Sequence, residues 1–348
     1  MYSNPEPPRP QRGQDGHQPQ TDNTKLTGPY KKEFQQHLTQ NGMYMPGHIF
    51  ADGSKPPAPA NKDAIVAMLK APSTSALPSD ADFDFFGEAS DSARSEADVM
   101  KNVIPLLEGP LSALERKCTN CNILFTNLDQ LTWCKLPASK PDLYHGSRPE
   151  DIHEEVRNAL SGHIIPSRRT YLPATPNFFL EAKSARQSSL ETAQIQAFYD
   201  GCLGARGMHS LRSYKRRVES TFDSNAYTLA CTYQGGTLIM YSFHCFRTER
   251  HGQINYVMTR LGGWYLLGDA DFFRKGVLAY RNAMKWTREQ RDQAIQMANE
   301  TVNWDTGGPN DGDEDDGDGG AGGGDAADGE GDGFHTTETK KATRTRCK

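Results

Sequence analysis

Residues 177–246 constrain the fold most tightly, because they place a short apolar strand pattern, a long helical pattern and two β-rich runs in close succession. Asn177–Lys183 (NFFLEAK) reads as a strand that ends in charge, Leu190–Leu211 as a helix, and Ala226–Tyr233 and Thr237–Phe246 as two strands. Gln234-Gly235-Gly236 between the last two is a hairpin signal. Gly201, Gly204 and Gly207 repeat every three residues and give the helix a smooth stripe that can approach a sheet closely. Further helical patterns cover Glu96–Leu107, with apolar Val99, Val103, Leu106 and Leu107, the stretch after Ser147 and Pro149 with Ile152, Val156 and Leu160, and Asp271–Val302. A short strand is expected near Tyr256–Thr259. The class is α/β, with a mixed central sheet flanked by helices.

The flanking sequence has a different character. Residues 1–95 read mostly as a disordered arm, rich in Pro, Gln and Asn, in which Asp63–Leu69 makes at most a short helical docking segment. The folded domain is then expected over residues 96–304, which hold 25 basic and 21 acidic residues. Residues 305–339 hold twelve acidic and no basic residues, and Gly307–Gly333 is a Gly/Asp string that self-repulsion keeps extended. Residues 305–348 thus read as a disordered acidic tail with a short basic end. No apolar run is long enough for a membrane span and the first ten residues lack a secretory pattern, so an intracellular protein, nuclear or cytoplasmic, is expected.

The chemistry-bearing residues cluster around the strand 177–183. Pro141-Asp142 opens an extended stretch, Glu181-Ala182-Lys183 closes the strand, and the helix that follows carries Gln196 and Tyr199. Alternate strand residues share a face, so Glu181 and Lys183 project together. This pattern resembles the active-site signature of the PD-(D/E)xK nuclease superfamily, whose restriction-endonuclease-like fold it implies. Hydrolysis of an anionic phosphodiester calls for a hard cation, and two converging carboxylates, Asp142 and Glu181, would hold Mg²⁺ or Mn²⁺. Lys183 would orient the attacking water or the scissile phosphate. A second acidic-x-Lys triplet, Glu115-Arg116-Lys117, follows a helical rather than a strand pattern and is set aside.

A closer similarity spans residues 96–304. Pro141-Asp142-Leu143-Tyr144, Pro176-Asn177-Phe178-Phe179-Leu180-Glu181-Ala182-Lys183, Ala197-Phe198-Tyr199-Asp200-Gly201 and Tyr280-Arg281-Asn282-Ala283 resemble a large fungal family of uncharacterised proteins. That resemblance implies the same nuclease-like fold and the same Asp and Glu-x-Lys residues.

The remaining candidates are weaker. Cys118, Cys121, Cys134 and His145 do not have the paired doublets of a zinc site and read as free thiols and a loop histidine. Glu96 and Glu155, helical acids that offer a third metal ligand, read as surface residues. Arg206, Arg212, Lys215, Arg216 and Arg217 form the densest basic cluster and either solvate a helix end or hold a phosphate backbone beside the site. The expected activity is metal-dependent hydrolysis of DNA. The alternative is a catalytically inactive nuclease-fold module that binds nucleic acid or a protein.

Overall fold

The computed structural model describes residues 32–73, 76–186, 190–216, 222–247 and 253–306. The acidic string, the first 31 residues and Arg217 lie outside the described residues. Seven strands form one mixed sheet: β1 (Met43–Tyr44), β2 (Thr119–Cys121), β3 (Leu143–Ser147), β4 (Ala174–Lys183), β5 (Thr228–Gln234), β6 (Thr237–Arg247) and β7 (Ile254–Tyr265). Their order is β1-β7-β6-β5-β4-β3-β2. Strands β2, β3 and β4 run as an antiparallel meander, and β5 lies parallel to β4. The crossover between those two is a helix, α9 (Leu190–Arg212). Strands β5, β6 and β7 complete a second meander, and β1 joins β7 in parallel.

The β5–β6 turn has two residues, with Gln234 paired to Thr237. Gly235 and Gly236 adopt φ of 52° and 82°, the left-handed pair that a tight hairpin needs. Strand β7 runs well beyond the expected four residues because all of β6 is available to pair with it.

Ten helices are described: α1 (Lys32–Gln40), α2 (Lys62–Lys70), α3 (Asp80–Ser92), α4 (Glu96–Asp98), α5 (Ile104–Glu108), α6 (Ala113–Lys117), α7 (Glu154–Ala159), α8 (Ser161–Ile164), α9, and α10 (Ala270–Thr306). Helix α9 covers the sheet face that presents Phe179, Ala230 and Phe243. On the other face, α2, α3, α5 and α10 pack against Phe178, Leu180, Leu229 and Met240. Two of the three glycines of the stripe face the sheet, and the third, Gly207, packs against the His163 carbonyl of α8. A Cβ on Gly201 would sit 2.3 Å from the Phe243 ring, and one on Gly204 2.6 Å from Phe179.

Residues 32–95 correct the expected arm. Phe34, Leu38, Met43, Ile65, Leu69 and Phe86 are all buried in the two sheet-face cores, and β1 extends the sheet at Tyr256 and Val257. Each helix is too short to persist alone, but the sheet supplies an apolar surface, and each large side chain buried on it contributes about 1.5–3 kcal/mol. The signal for α3 was Ser79 with Asp82, a capping box whose two hydrogen bonds both form. A second correction concerns Ser147, which ends β3 and bonds Ala174 instead of capping a helix. Helix α7 starts later, capped by the His153 ring.

Helices α4 and α5 are joined by a π-helical turn over Val99–Val103, in which Ile104 N–H reaches back to the Val99 carbonyl. Pro105 explains the widening, because it has no N–H to offer the Lys101 carbonyl and its ring would strike it.

Candidate active site at the end of strand β4

Strand β4 ends in Glu181-Ala182-Lys183, and strand pleating sends Ala182 into the α10-side core while Glu181 and Lys183 point toward α9. Leu143 pairs with Leu180 across β3 and β4, which brings Asp142, one residue before β3, beside Glu181. The 38 residues between the two acids run through β3, α7, α8 and most of β4, and the register shift between His145 and Ser147 leaves the Leu143–Leu180 pairing in place. Asp142 Oδ2 accepts from Ala182 N at 2.8 Å, and Glu181 Oε1 accepts from Asp142 N at 3.2 Å.

Lys183 lies at the centre of the cluster. Its Nζ is 2.8 Å from Glu96 Oε2, 3.2 Å from Asp142 Oδ2 and 3.6 Å from Glu181 Oε2. A fourth carboxyl, Asp200 on α9, lies within hydrogen-bonding reach of Glu181 and accepts from Ser139 Oγ. Asp142, Glu181, Lys183 and Asp200 are 3, 0, 2 and 2% exposed, so only Glu96 carries the cluster to solvent.

Four carboxyl groups share one ammonium here, and their acidities report the excess of negative charge. Burial pushes Asp142 up to about 6 against the pull of Lys183, with Glu96 adding to the rise. Burial pushes Asp200 up to about 7 and raises Glu181 well above the carboxylate range, the latter helped by the charges of Asp142 and Asp200. Glu96 moves the other way. Burial opposes the change, but hydrogen bonds from Lys183 and Asp142 and the charges of Lys183 and Lys140 bring it below its usual value. Lys183 is likewise held charged, since Asp142 and Glu181 outweigh its desolvation. Glu181 Oε2 and Asp200 Oδ2 find no protein donor, so with both groups ionised these buried oxygens stand orphaned.

The donor set is all oxygen, over-charged and partly orphaned, which suits a hard divalent cation. Among the described residues, no three His, Cys, Asp or Glu side chains stand as a preformed metal cage, because the Lys183 ammonium occupies the space between the acids.

The sequence reading placed Asp142, Glu181 and Lys183 together, and they meet. It set Glu96 aside as a surface residue, and the structure joins it to Lys183. Asp200 and Ser139 were missed. The position of Asp200 directly after Tyr199 was the available signal, since a carboxylate inside an apolar helical stretch needs a partner. Tyr199 itself packs edge-on against Phe34 in the core, and Gln196 is half-buried with an unpartnered Oε1. Glu155 pairs with Lys215 at 2.8 Å, away from the cluster.

The described members of the basic cluster, Arg206, Arg212, Lys215 and Arg216, do not flank the site. Helix α9 runs back along β4, so Met208 and Leu211 pack near Ala174 at the start of that strand. Twelve residues of helix separate Asp200 from Arg212, about 18 Å. Arg206 is buried and donates to the Gln130 and Gly162 carbonyls, so it holds loops rather than phosphates. Arg212 lies over the Tyr227 ring at 3.8 Å and faces Asp223, and Arg216 is exposed. The exposed cations nearest the cluster in sequence are Arg94, Lys140 and Arg186.

His145 is engaged by Thr119 Oγ1 at 2.9 Å and Glu108 at 3.3 Å, and Cys118, Cys121 and Cys134 are free thiols. Among the described residues no helix is long and apolar enough to cross a membrane. The chain matches no protein-family model, no curated protein and no solved structure.

Proposed function

We propose that this protein is a metal-dependent nuclease that hydrolyses phosphodiester bonds of DNA on a restriction-endonuclease-like core. The observation that carries the reading is the convergence on Lys183 of Glu96 from a helix, Asp142 from the residue before β3 and Glu181 from the end of β4. The order of elements supports it: a helix bearing an acid, an antiparallel meander, a crossover helix and a parallel strand. Mg²⁺ or Mn²⁺ bound by Asp142 and Glu181 would neutralise the phosphate and acidify water. The protein's own groups do the rest. Lys183 holds a water or a phosphate oxygen, Glu96 fixes the ammonium, and Asp200 with Ser139 orients Glu181. Arg94, Lys140 and Arg186 supply positive charge for the backbone of the nucleic acid.

The test is incubation of the full chain with labelled single- and double-stranded DNA and RNA plus Mn²⁺. Lys183→Ala is expected to lower cleavage by ~10²-fold or more, the loss expected for a positioned electrostatic group. The exposed Lys117→Ala, in the set-aside triplet, should be neutral. No cleavage of any substrate, or cleavage that persists in Lys183→Ala, removes the enzymatic reading.

The near-complete burial of Asp142, Glu181 and Lys183 favours a second reading, an inactive nuclease-fold module that binds nucleic acid or a protein. In that case the acids and Lys183 form a buried ionic network that fixes the register of β3 and β4. Lys183→Ala would then destabilise the fold without any activity to lose.

A further inference from the structure

On the sheet face opposite the carboxylate cluster, between α10 and the segment carrying α5 and α6, lies a cavity of about 690 Å³. None of Glu96, Asp142, Glu181, Lys183 and Asp200 lines it. Its volume is that of a small-molecule pocket. Apolar side chains such as Leu106, Phe273 and Met284 form part of the wall, and Arg288, Arg291 and His145 line it as well.

Three acids line this wall as well: Asp82 accepts from Ser79 N and Oγ, and Glu108 Oε1 has no hydrogen-bond partner. Glu115 Oε1 accepts from Arg288 at 2.9 Å, and Glu108 faces His145 at 3.3 Å. Arg291 is different. It is 2% exposed, donates one Nη1 bond to Asn177 Oδ1, and its Nε has no hydrogen-bond partner. Among the described residues it makes no ion pair, and the carboxylate that acts on it most is its chain neighbour Asp292. A guanidinium does not escape burial by losing its proton at neutral pH, so a buried and unpaired one is costly to keep. Desolvation lowers its pKa, to about 10, which still leaves it charged at neutral pH. The positive charge also reaches its neighbours, helping to lower the His145 ring, whose main depression comes from burial.

We propose that this cavity binds a small organic oxyanion, with its phosphate or carboxylate on Arg291 and an apolar body against Leu106, Phe273 and Met284. The anion supplies the counter-charge that the chain itself omits, and the planar guanidinium suits an oxyanion with two acceptor oxygens. Lys285, two-thirds exposed on α10, adds positive charge to the cavity.

The experiment is calorimetric titration of the full chain with inorganic phosphate, AMP and 2-naphthoate, with site-resolved alkylation of Cys118, which also lines the cavity, as the second readout. Saturable one-to-one binding of AMP or 2-naphthoate is expected, tighter than inorganic phosphate and slowing Cys118 alkylation. AMP alone assigns an organic phosphate, and 2-naphthoate alone a carboxylate. Arg291→Gln should weaken binding at least ~10-fold, the cost of a charge-assisted pair. If that variant does not fold, Lys285→Glu combined with Arg288→Glu decides, because a reversed wall should repel the anion. Asp142→Asn should leave this binding unchanged, which separates it from the proposed nuclease site. Absence of binding by all three probes at millimolar concentration overturns the proposal. So does inorganic phosphate binding as tightly as the organic anions, or affinity unchanged in Arg291→Gln or in the charge-reversed variant.

Discussion

The Lys183 ammonium lies 2.8 Å from Glu96 Oε2, although 87 positions separate the two residues in sequence. That contact ties the helix before the π turn to the end of β4 and makes Glu96 the one group of the cluster that reaches solvent. Whatever enters the cluster from solvent meets Glu96 first.

Protons and a divalent cation should compete for the carboxyl groups. Asp142 is raised to about 6, Asp200 to about 7, and Glu181 well above its usual range. Binding of Mn²⁺ is expected to tighten as pH rises from about 6 to 8 and to release protons. Titration in buffers of different ionisation enthalpy measures the release. Affinity independent of pH in this window would mean that these acids do not hold the ion.

The same shifts set a stability trend in chelator. The folded-state value of Asp200 is raised, so the stabilisation it provides is complete below the unfolded value near 4 and is lost as pH rises through about 7. Asp200→Asn keeps an acceptor for Ser139 and removes that loss. The variant should gain on wild type between pH 5 and 8, by on the order of 1–3 kcal/mol for a shift of this size. Comparing the two proteins at each pH cancels the opposite trend of buried His145 and His244, whose lowered values make stability rise with pH. Parallel melting curves across that range would contradict the assignment.

Arg206→Ala should unfold the protein more easily and leave nucleic-acid affinity per folded molecule unchanged. The guanidinium donates to two backbone carbonyls in a buried setting, and its loss strands both acceptors, at a cost of about 2–4 kcal/mol. Denaturant titration gives the first quantity and a salt-dependent binding assay the second. A large loss of affinity at full stability would return Arg206 to the phosphate-binding role.

Gly204→Ala tests the contact between α9 and the sheet. The new methyl would sit 2.6 Å from Phe179, 2.9 Å from Thr228 and 3.0 Å from the Pro176 carbonyl, and the carbonyl belongs to β4 itself. Overpacking should cost about 1–3 kcal/mol, more than the ~1 kcal/mol gained in helix propensity. A stabilised variant would show that α9 stands farther from β4.

Phe86→Ala examines the corrected boundary. Phe86 is fully buried between Phe273 and Tyr233, so truncation should cost about 3–5 kcal/mol. A loss under about 1 kcal/mol, read from urea unfolding, would restore residues 80–92 to an arm.

The sequence by itself determined the α/β class, the close approach of Gly201 and Gly204 on α9 to the sheet, a hairpin at Gln234-Gly235-Gly236 and the shared face of Glu181 and Lys183. Each depends on a period of 2 or 3.6 residues or on a local φ requirement, and such signals lie within a few residues of chain. Tertiary structure alone decided that Glu96 and Asp200 join Asp142, Glu181 and Lys183, and that Arg206 is buried while Arg216 is exposed. It also decided that the short helices of residues 32–95 belong to the fold. Asp80–Ser92 looks acidic and disordered until Phe86 finds Phe273 and Tyr233, and Glu96 looks like any surface acid until β4 delivers Lys183 to it. The physical reason is common to all of these: a lone helix or a lone charge has the same local pattern whether or not a partner arrives, and the partner is set by strand register and packing.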